Sequence, residues 1–271
     1  SSDIRELKEL RDSGDEMAKL ALDMQVYRVK KYIGAYMAVL GRVDAIIFEG
    51  GIGEHNPDVI SKAFNNTMFV YLDKLTSVND EKEKITVYGD YDVDGITSTA
   101  LLVSFLRGHG VNAQAYIPDR QNEGYGINKA AVKKISDGGA TLLISVDTGI
   151  TAFEETKYAK ELGCDVIITD HHECKQELPG AVAVINPKRM DCDYPFKDLA
   201  GVGVAFKLVC AASEKSEREL LDEYADIVAL GTIADVVSLK DENRIIAARG
   251  IEKLSKNPNT GLAAVISNLG L

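Results

Sequence analysis

Cysteine is scarce in this sequence, and none of its four copies forms a CxxC pair. The spacing matches no zinc-finger pattern, so the thiols are predicted to be reduced and incidental. Thiols of this kind are typical of a reducing compartment. The cysteines are Cys164, Cys174, Cys192 and Cys210.

Long apolar runs are absent as well. No stretch approaches the roughly 18 to 20 continuous apolar residues that a membrane-spanning helix requires. The N-terminal segment SSDIRELKELRDSGD is too charged for a signal peptide. We therefore expect a cytoplasmic protein that does not bind a membrane.

Basic residues are too few to balance the acids. There are 31 Lys and Arg against 42 Asp and Glu, which gives a formal net charge of −11. This balance excludes a general nucleic-acid coat protein. A polyanionic substrate must then be held by local basic groups or through metal ions. The remaining composition, 45% hydrophobic and 27% charged, is that of a globular protein with a sizeable core.

The middle of the chain alternates short runs rich in Ile and Val with helical stretches. The runs are ITVYG, NAQAYI, TLLISVD, DVIITD and AVAVIN. Apolar strands of this length, separated by helices, are typical of a parallel sheet covered on both faces. The sequence therefore predicts an α/β fold with a doubly wound parallel sheet. A further helix is predicted from Glu217 and ends near Asp235.

The N-terminal part has a different pattern. Apolar residues recur at helical spacing from Asp15 to Leu40, with Asp15 as the predicted N-cap, and the short apolar strand VDAIIFEG follows. The polar segment before Ile85 predicts a boundary. We expect an N-terminal helix and strand over residues 1–60, a linker over 61–84 and a larger domain over 85–271.

Acids and histidines follow three of the predicted strands, and one more acid lies near the end of the long helix. Open α/β sheets bind ligands at this edge. An Asp after a strand is also commonly the N-cap of the next helix, so each position alone has a structural explanation. Agreement of several strand ends favours a shared site. The residues are Asp90, Asp92, Asp94, Asp147, Asp170, His171, His172 and Asp235.

Carboxylate and imidazole groups are the donors that suit Mn²⁺ or Mg²⁺. The alternating aspartates of GDYDVDG would repel one another unless cations compensate them. Because the donors exceed the needs of one ion, we predict two ions about 3.5 to 4 Å apart with a bridging carboxylate, an arrangement that hydrolyses phosphoesters. Gly89 and Gly95 flank the loop, where a backbone that wraps an ion needs positions without a Cβ.

Four motifs, in this order, resemble those of the DHH phosphoesterase superfamily: GDYDVDG, SVDTGIT, TDHHE and GTIADV. The segments YIPDRQNEGYGIN and LAGVGVAFKL resemble its RecJ branch, the single-strand-specific 5′ to 3′ exonucleases. The resemblance extends over about residues 84–271. RecJ-like proteins usually continue into a second domain that grips the strand, and we expect this chain to lack it.

The resemblance implies a role for each motif residue. Asp147 would bridge the two ions and act as a catalytic residue, and His172 would face the scissile phosphate. Asp170 would orient the neighbouring histidine. The implied metal ligands are Asp90, Asp92, Asp94, Asp147, His171 and Asp235.

Other candidates stand beside these motifs. Arg120 follows a predicted strand and is a candidate phosphate ligand, or else a surface arginine. Gly201 and Gly203 precede a helix, where they either present backbone amides to an anion or permit close packing. Cys174 is not expected to bind metal, because hard donors already saturate the site.

The first 60 residues resemble a different family. SSDIREL, ALDMQVYRVKKYIGAYMAVLG and DAIIFEGGIGEHNP are similar to part of acetate kinase, where two of these segments lie at the ADP site. The matching positions are Asp3, Arg5, Gly51 and Gly53. Kinase activity is not expected, since the acetate-binding and phosphoryl-transfer residues are missing. Two unrelated families in one chain indicate a chimera.

Three functions remain open at this point. The leading prediction is a two-metal phosphodiesterase that hydrolyses single-stranded DNA from the 5′ end. The alternatives are a hydrolase of small phosphoesters, such as short oligonucleotides, cyclic dinucleotides or pyrophosphate, and a catalytically silent chimera. The expected partner is single-stranded DNA or a short oligonucleotide, and the oligomeric state is open.

Overall fold

The computed structural model of the chain describes residues 4–22, 24, 84–213 and 215–270. The chain divides into two compact units, Ser1–Asp73 and Lys74–Leu271. Among the helices of these described residues, none has the length and apolar character needed to cross a membrane.

The first unit begins with helix α1, Ile4–Asp12. The chain then turns through Gly14, and the Oδ1 atom of Asp15 accepts hydrogen bonds from the N–H groups of Met17 and Ala18. Residues 16–22 are helical. This capping confirms the predicted helix start at Asp15. Helix α1 was not predicted, although its acidic first turn and basic last turn are a recognisable helix pattern.

Much of the N-terminal prediction lies outside the described residues. This holds for the remainder of the predicted helix, for the strand VDAIIFEG and for the linker up to residue 83. It also holds for Asp3, Gly51 and Gly53, and for the side chain of Arg5.

The second unit is built on a five-stranded sheet with the order β2-β1-β3-β4-β5, and every pair of neighbours is parallel. The strands are β1 Ile85–Tyr88, β2 Ala113–Tyr116, β3 Leu142–Val146, β4 Asp165–Thr169 and β5 Ala183–Ile185. All residues of β1 and β3 are buried, whereas β2 at the edge is only partly buried. Continuous apolar runs therefore correspond to central strands covered on both faces. The predicted doubly wound parallel sheet is confirmed.

Helices lie on both faces of this sheet. Helices α3 and α4 contact each other, and buried residues of α3 pack with Tyr88 and Leu143 in one apolar cluster. Helices α2, α5 and α6 contact one another and form a second layer. Helices α2 and α5 of this layer pack on the strands, and α6 packs on both of them. The helices are α2 Val93–Gly108, α3 Lys129–Asp137, α4 Phe153–Glu161, α5 Gly201–Ala212, α6 Glu217–Ala234, α7 Asp241–Lys256 and α8 Thr260–Leu269.

The C-terminal part of the chain contains the predicted helix and two further helices. Helix α6 begins at Glu217, as predicted, and ends with Asp235 as its C-cap residue. Helix α7 packs along α6, and α8 follows after Asn259, whose side chain caps it. Neither α7 nor α8 was predicted. The acids Asp241 and Glu242 in the first turn of α7, with lysines in its last turn, are a usable helix signal.

Candidate metal centre

The strand ends of the second unit carry acids and a histidine to one edge of the sheet. Asp90 follows β1, Asp147 follows β3, and Asp170 and His171 follow β4. All are buried, and even His171 is only 7% exposed. Because parallel strands end at a common edge, residues that are distant in sequence meet here.

The first turn of α2 adds two more carboxylates. Asp92 is the N-cap residue, and its side chain accepts a hydrogen bond from the N–H of Gly95 at 2.9 Å. Asp94 is almost completely buried, and its carboxylate accepts hydrogen bonds from the N–H groups of Gly201 at 2.6 Å and Val202 at 2.8 Å. The start of α5 therefore holds Asp94 in a fixed orientation.

His171 lies at the centre of the acidic cluster. Its Nε2 atom is 3.1 Å from Asp147 Oδ1, 3.7 Å from Asp235 Oδ2 and 3.8 Å from Asp94 Oδ2. Asp235 comes from the end of α6, and its side chain is 23% exposed. Residues from two strand ends and two helices thus meet around one imidazole nitrogen.

Three overlapping groups of side chains have the geometry needed to hold a metal ion. In each group, one donor atom per residue lies within 4.8 Å of the others. The groups are Asp147, His171 and His172; Asp94, His171 and Asp235; and Asp90, Asp92 and Asp147. The structure therefore brings together every residue that the sequence suggested as a metal ligand. Asp147 and His171 each belong to two groups, and of these two only Asp147 has a carboxylate, the group that can bridge two ions.

Within the metal centre, two buried candidate ligand atoms lack a hydrogen-bond partner in the described part of the chain. They are Asp147 Oδ1 and His171 Nε2, which face each other at 3.1 Å without a hydrogen bond between them. A buried polar atom without a partner costs about 1 to 3 kcal/mol. Two such atoms that converge on one point fit the coordination of a cation.

In the metal-free protein, the surroundings of the acids in the cluster favour their protonated form. Burial, together with repulsion from Asp147, raises the pKa of Asp94. Burial, together with repulsion from Asp92 and other acids, raises the pKa of Asp147. Burial also raises the pKa of Asp90 and of Asp235. A divalent cation would reverse these shifts, because it stabilises the ionised carboxylates.

His172 differs from His171 in its partners. Its Nδ1 atom lies 2.7 Å from Asp170 Oδ1, and its Nε2 atom lies 3.2 Å from the hydroxyl of Tyr125. The hydrogen bond to Asp170 raises the pKa of His172 to about 9. For Asp170 burial acts upward, but hydrogen bonds from His172 and from the N–H of Ile150 outweigh it and lower the pKa. A protonated, half-exposed imidazole therefore lies beside the carboxylate cluster.

An aromatic and cationic rim continues from His172. The Tyr125 ring stands edge-on to His172 and to Tyr91, and the guanidinium of Arg120 lies 5.1 Å from the centre of the Tyr91 ring. Arg120 is thus at the rim of the site and belongs to none of the ligand groups among the described residues. Its position leaves the charge available to an anion near the cluster.

The two glycines at the start of α5 have different roles. The N–H of Gly201 is bound to Asp94, so the anion that it holds is a carboxylate of the protein itself. A Cβ on Gly203 would lie 3.2 Å from Leu199, which indicates close packing. Cys174 contacts the carbonyl of His172 and belongs to no ligand group in the described part of the chain.

Two residues near the site were not selected from the sequence. Tyr125 lies between Gly124 and Gly126, both with positive φ, and the GYG pattern in the loop was the available signal. Asn186 is buried, and its amide donates to the carbonyl of His172 at 2.9 Å. No sequence pattern marks Asn186, because its partner lies 14 positions away on another loop.

Comparison with known families assigns the second unit. The profile of the DHH family, N-terminal domain, matches residues 84–232, more than half of the chain. The chain therefore belongs to the DHH family. A second profile, the Acetokinase family, matches residues 1–95. The two matches join different families in one chain and support the chimera suggested by its motifs.

Two of the similar proteins carry the same name. The chain is 50% identical over 198 residues to the single-stranded-DNA-specific exonuclease RecJ of Bacillus subtilis (strain 168), which covers 73% of this chain and 25% of that protein. It is 37% identical over 188 residues to the protein of the same name from Thermus thermophilus, covering 69% and 28%. The chain thus spans about a quarter of the length of these relatives.

Solved structures agree with this assignment. A crystal structure of exonuclease RecJ bound to manganese superposes with a TM-score of 0.66 at 33% identity, over 76% of this chain and 52% of that one. RecJ of Thermus thermophilus in complex with Mn²⁺ gives a TM-score of 0.61 at 31% identity, over 75% of this chain and 30% of that one. The fold of the second unit is therefore that of a RecJ-type DHH domain.

Proposed function

We propose that the chain is a divalent-metal-dependent phosphodiesterase that hydrolyses single-stranded DNA from the 5′ end. The observation that carries this proposal is the pair of buried, unpartnered donor atoms, Asp147 Oδ1 and His171 Nε2, inside a cluster of carboxylates. The name of the relatives, single-stranded-DNA-specific exonuclease, supports the choice of substrate.

The proposed cofactors are two Mn²⁺ or Mg²⁺ ions, supported by the manganese reported for similar structures. When bound, such ions lower the pKa of a coordinated water and stabilise charge on phosphoryl oxygens. The donor set is hard, since it contains carboxylate oxygens and imidazole nitrogen. Asp147 is proposed to be shared between the ions. The proposed ligands are Asp90, Asp92, Asp94, Asp147, His171 and Asp235.

His172 is the proposed catalytic proton donor. Asp170 accepts a hydrogen bond from the Nδ1–H group of His172, which fixes the ring and leaves Nε2 directed toward Tyr125 and solvent. In the metal-free protein, the hydrogen bond to Asp170 raises the pKa of His172 to about 9, which favours the protonated ring at neutral pH. An imidazolium in this position can give the Nε2 proton to the leaving oxygen of the substrate. A phosphate can replace the Tyr125 hydroxyl as the partner of Nε2.

Arg120 is the proposed phosphate-binding residue at the rim. Its guanidinium rests on the Tyr91 ring, which orders the side chain without neutralising its charge. A planar guanidinium binds phosphate oxygens in pairs. A charge of −11 makes such local cations necessary for a nucleic-acid substrate.

We also propose the division of labour along the chain. Residues 85–271 would form the catalytic domain and residues 61–84 a linker, while residues 1–60 would take no part in hydrolysis. The boundary between the two compact units, at Asp73 and Lys74, falls inside the proposed linker and supports this division. A DNA substrate is consistent with the expected cytoplasmic location.

A second candidate is hydrolysis of small phosphoesters such as pApA or pyrophosphate. The net charge of −11 favours it, because a short substrate needs few cations for binding. Both candidates use the same centre. Substrate length therefore distinguishes them.

The experiment is a Mn²⁺ titration followed by hydrolysis assays on a 5′-phosphorylated single strand, the same strand without the phosphate, pApA and pyrophosphate. The proposal expects metal-dependent release of nucleotides from the 5′ end of the strand. Asp137→Asn, at an exposed salt bridge on α3, is a control that keeps the centre intact. Hydrolysis of only the small substrates would select the second candidate. Tight metal binding without hydrolysis of any substrate would identify a silent chimera.

A further inference from the structure

Asn243, in the first turn of α7, joins two segments that are distant in sequence. Its side chain is completely buried. Its Nδ2 group donates one hydrogen bond to the carbonyl of Asp198 at 2.6 Å and one to the carbonyl of Ser238 at 3.0 Å. A primary amide has two N–H donors, so both donors are used.

Each of these carbonyls lies close in sequence to a part of the metal centre. Asp198 precedes the start of α5, where the N–H groups of Gly201 and Val202 hold the carboxylate of Asp94. Ser238 follows Asp235 on the turn between α6 and α7. One amide therefore connects the backbone that orients Asp94 to the backbone that carries Asp235.

The turn after Asp235 needs such a support. Val236 has φ 59° and Asp241 has φ 41°, which are left-handed conformations that non-glycine residues rarely adopt. A residue in this region costs about 1 to 2 kcal/mol, and most for a β-branched side chain such as Val236. Conformations of this kind persist only where surrounding bonds hold them. Ser238, whose carbonyl accepts the hydrogen bond from Asn243, lies in sequence between the two strained residues.

Packing alone does not explain an asparagine here. A fully buried position favours an apolar side chain, and burying an amide costs free energy unless its hydrogen bonds are needed. Among the residues that the structure describes, Asn243 Oδ1 has no hydrogen-bond partner, which costs free energy, and the two hydrogen bonds donated by Nδ2 offset this cost. Both acceptors are carbonyls, and therefore only this orientation of the amide satisfies them.

We propose that Asn243 is a positioning residue that holds Asp94 and Asp235 at the spacing required for metal binding. Its hydrogen bonds go to the two backbone segments and to none of the proposed ligands, so it acts through these segments. The inference rests on the proposed function for the identity of the ligand, a divalent cation. The hydrogen bonds by which Asn243 links the two segments are present in the metal-free protein as well.

The test compares Asn243→Ala and Asn243→Ser with a matched control, Ser216→Ala. Ser216 forms the capping box at the opposite end of α6, and its loss costs about 1 kcal/mol of stability without reaching the centre. Two quantities are measured: hydrogen exchange of the Gly201 and Val202 amides in EDTA, and the Mn²⁺ dissociation constant by calorimetry.

We expect both Asn243 variants to exchange the Gly201 and Val202 amides at least tenfold faster in EDTA, with slow exchange retained in β3 and β4. We also expect Mn²⁺ to bind at least tenfold more weakly, the range found when residues behind metal ligands are replaced. Ser216→Ala should change neither quantity.

Unchanged exchange and unchanged Mn²⁺ affinity in folded Asn243 variants would overturn the inference. Failure of both variants to fold would also overturn it, because Asn243 would then support the whole domain and not the centre. If the unaltered protein fails to bind Mn²⁺, the proposed function fails, while the exchange measurement still tests the link between the two segments.

Discussion

Gly201 lies directly against Asp147. A Cβ added to this glycine would overlap the carboxylate and would stand 2.6 Å from the Cβ of the aspartate. The same glycine donates its N–H to Asp94 at 2.6 Å. A single residue without a side chain therefore sets the distance between α5 and two of the buried carboxylates.

Gly201→Ala should lower the free energy of unfolding by about 1 to 3 kcal/mol, because the added methyl group forces Asp147 or α5 to move. Mn²⁺ affinity should fall as well. Thermal unfolding and calorimetry measure both effects. Gly108→Ala is the control, because a Cβ there meets no atom of the described residues within 4 Å, and we expect it not to lower the stability. Equal stability of the two variants would contradict the close contact.

Metal-free stability should fall as pH rises. Burial raises the pKa of Asp94 and of Asp147 in the folded protein above the ordinary value of 3.8. A group with a raised folded pKa contributes stability that is fully present below the unfolded pKa and is lost as pH rises through the folded pKa. His172, with its pKa raised from 6.5 to about 9, adds to the loss above about pH 6.5.

Melting temperatures in EDTA should therefore decrease from about pH 5 to pH 8. Mn²⁺ binds the ionised carboxylates, so its stabilising effect should grow over the same interval, to about 2.7 kcal/mol at a hundredfold excess over Kd. Parallel melting series in EDTA and in Mn²⁺ test both statements. A melting temperature that rises with pH in EDTA, or that ignores Mn²⁺ at pH 8, contradicts the crowded acidic centre.

Asp147→Asn and His172→Ala should separate metal binding from proton transfer. Asp147→Asn removes a carboxyl group whose ionisation burial opposes, so the metal-free protein should lose less stability as pH rises, while Mn²⁺ affinity and hydrolysis are lost. His172→Ala should retain its metal and lose about 10² to 10⁴ in rate, the usual contribution of a general acid. Metal content of the purified variants decides the assignment. Loss of both ions from His172→Ala would make His172 a ligand.

Val236→Asn should stabilise the protein. The Val236 side chain is 87% exposed, so its replacement removes little packing, and asparagine tolerates the left-handed conformation better than a β-branched residue. We expect a gain of up to about 1 kcal/mol in chemical denaturation. Val182→Asn, at another exposed valine without a positive φ, should give no gain. A loss of stability in Val236→Asn would show that the turn is not strained.

Binding of long single-stranded DNA should be weak and should respond little to salt. The slope of log K against log salt is about 0.7 for each phosphate neutralised on a single strand, and a chain of charge −11 has few cations for this purpose. Fluorescence titration of a strand of about 20 nucleotides at several salt concentrations gives the slope. We expect dinucleotides to be hydrolysed at least as fast as long strands. A steep slope with processive degradation would reveal a basic groove.

The strands and the acids at their ends were predictable, because both depend on local sequence. Continuous Ile and Val runs indicate central strands, and an acid directly after such a run is carried to the ligand edge of the sheet. Asp90, Asp147 and Asp170 follow from these two rules. Knowledge of tertiary contacts is not needed for either of them.

The hydrogen bonds that support the metal centre could not be predicted in the same way. Asp94 is held by amides 107 and 108 positions away, and Asn243 binds a carbonyl 45 positions before it. Hydrogen bonds of this kind are set by how helices pack, and no local pattern encodes them. The choice between an anion site and close packing at Gly201 was open for the same reason, since the anion is a side chain of the protein.

The donors around His171 are spread from Asp94 at the start of α2 to Asp235 at the end of α6, and both β3 and β4 lie between them. A nascent chain that has not yet emerged from the ribosome past α6 therefore carries an incomplete donor set. The same holds for a fragment cut by a protease anywhere between these helices, once its parts separate. A metal centre arranged in this way is complete only after synthesis and folding of the domain are finished.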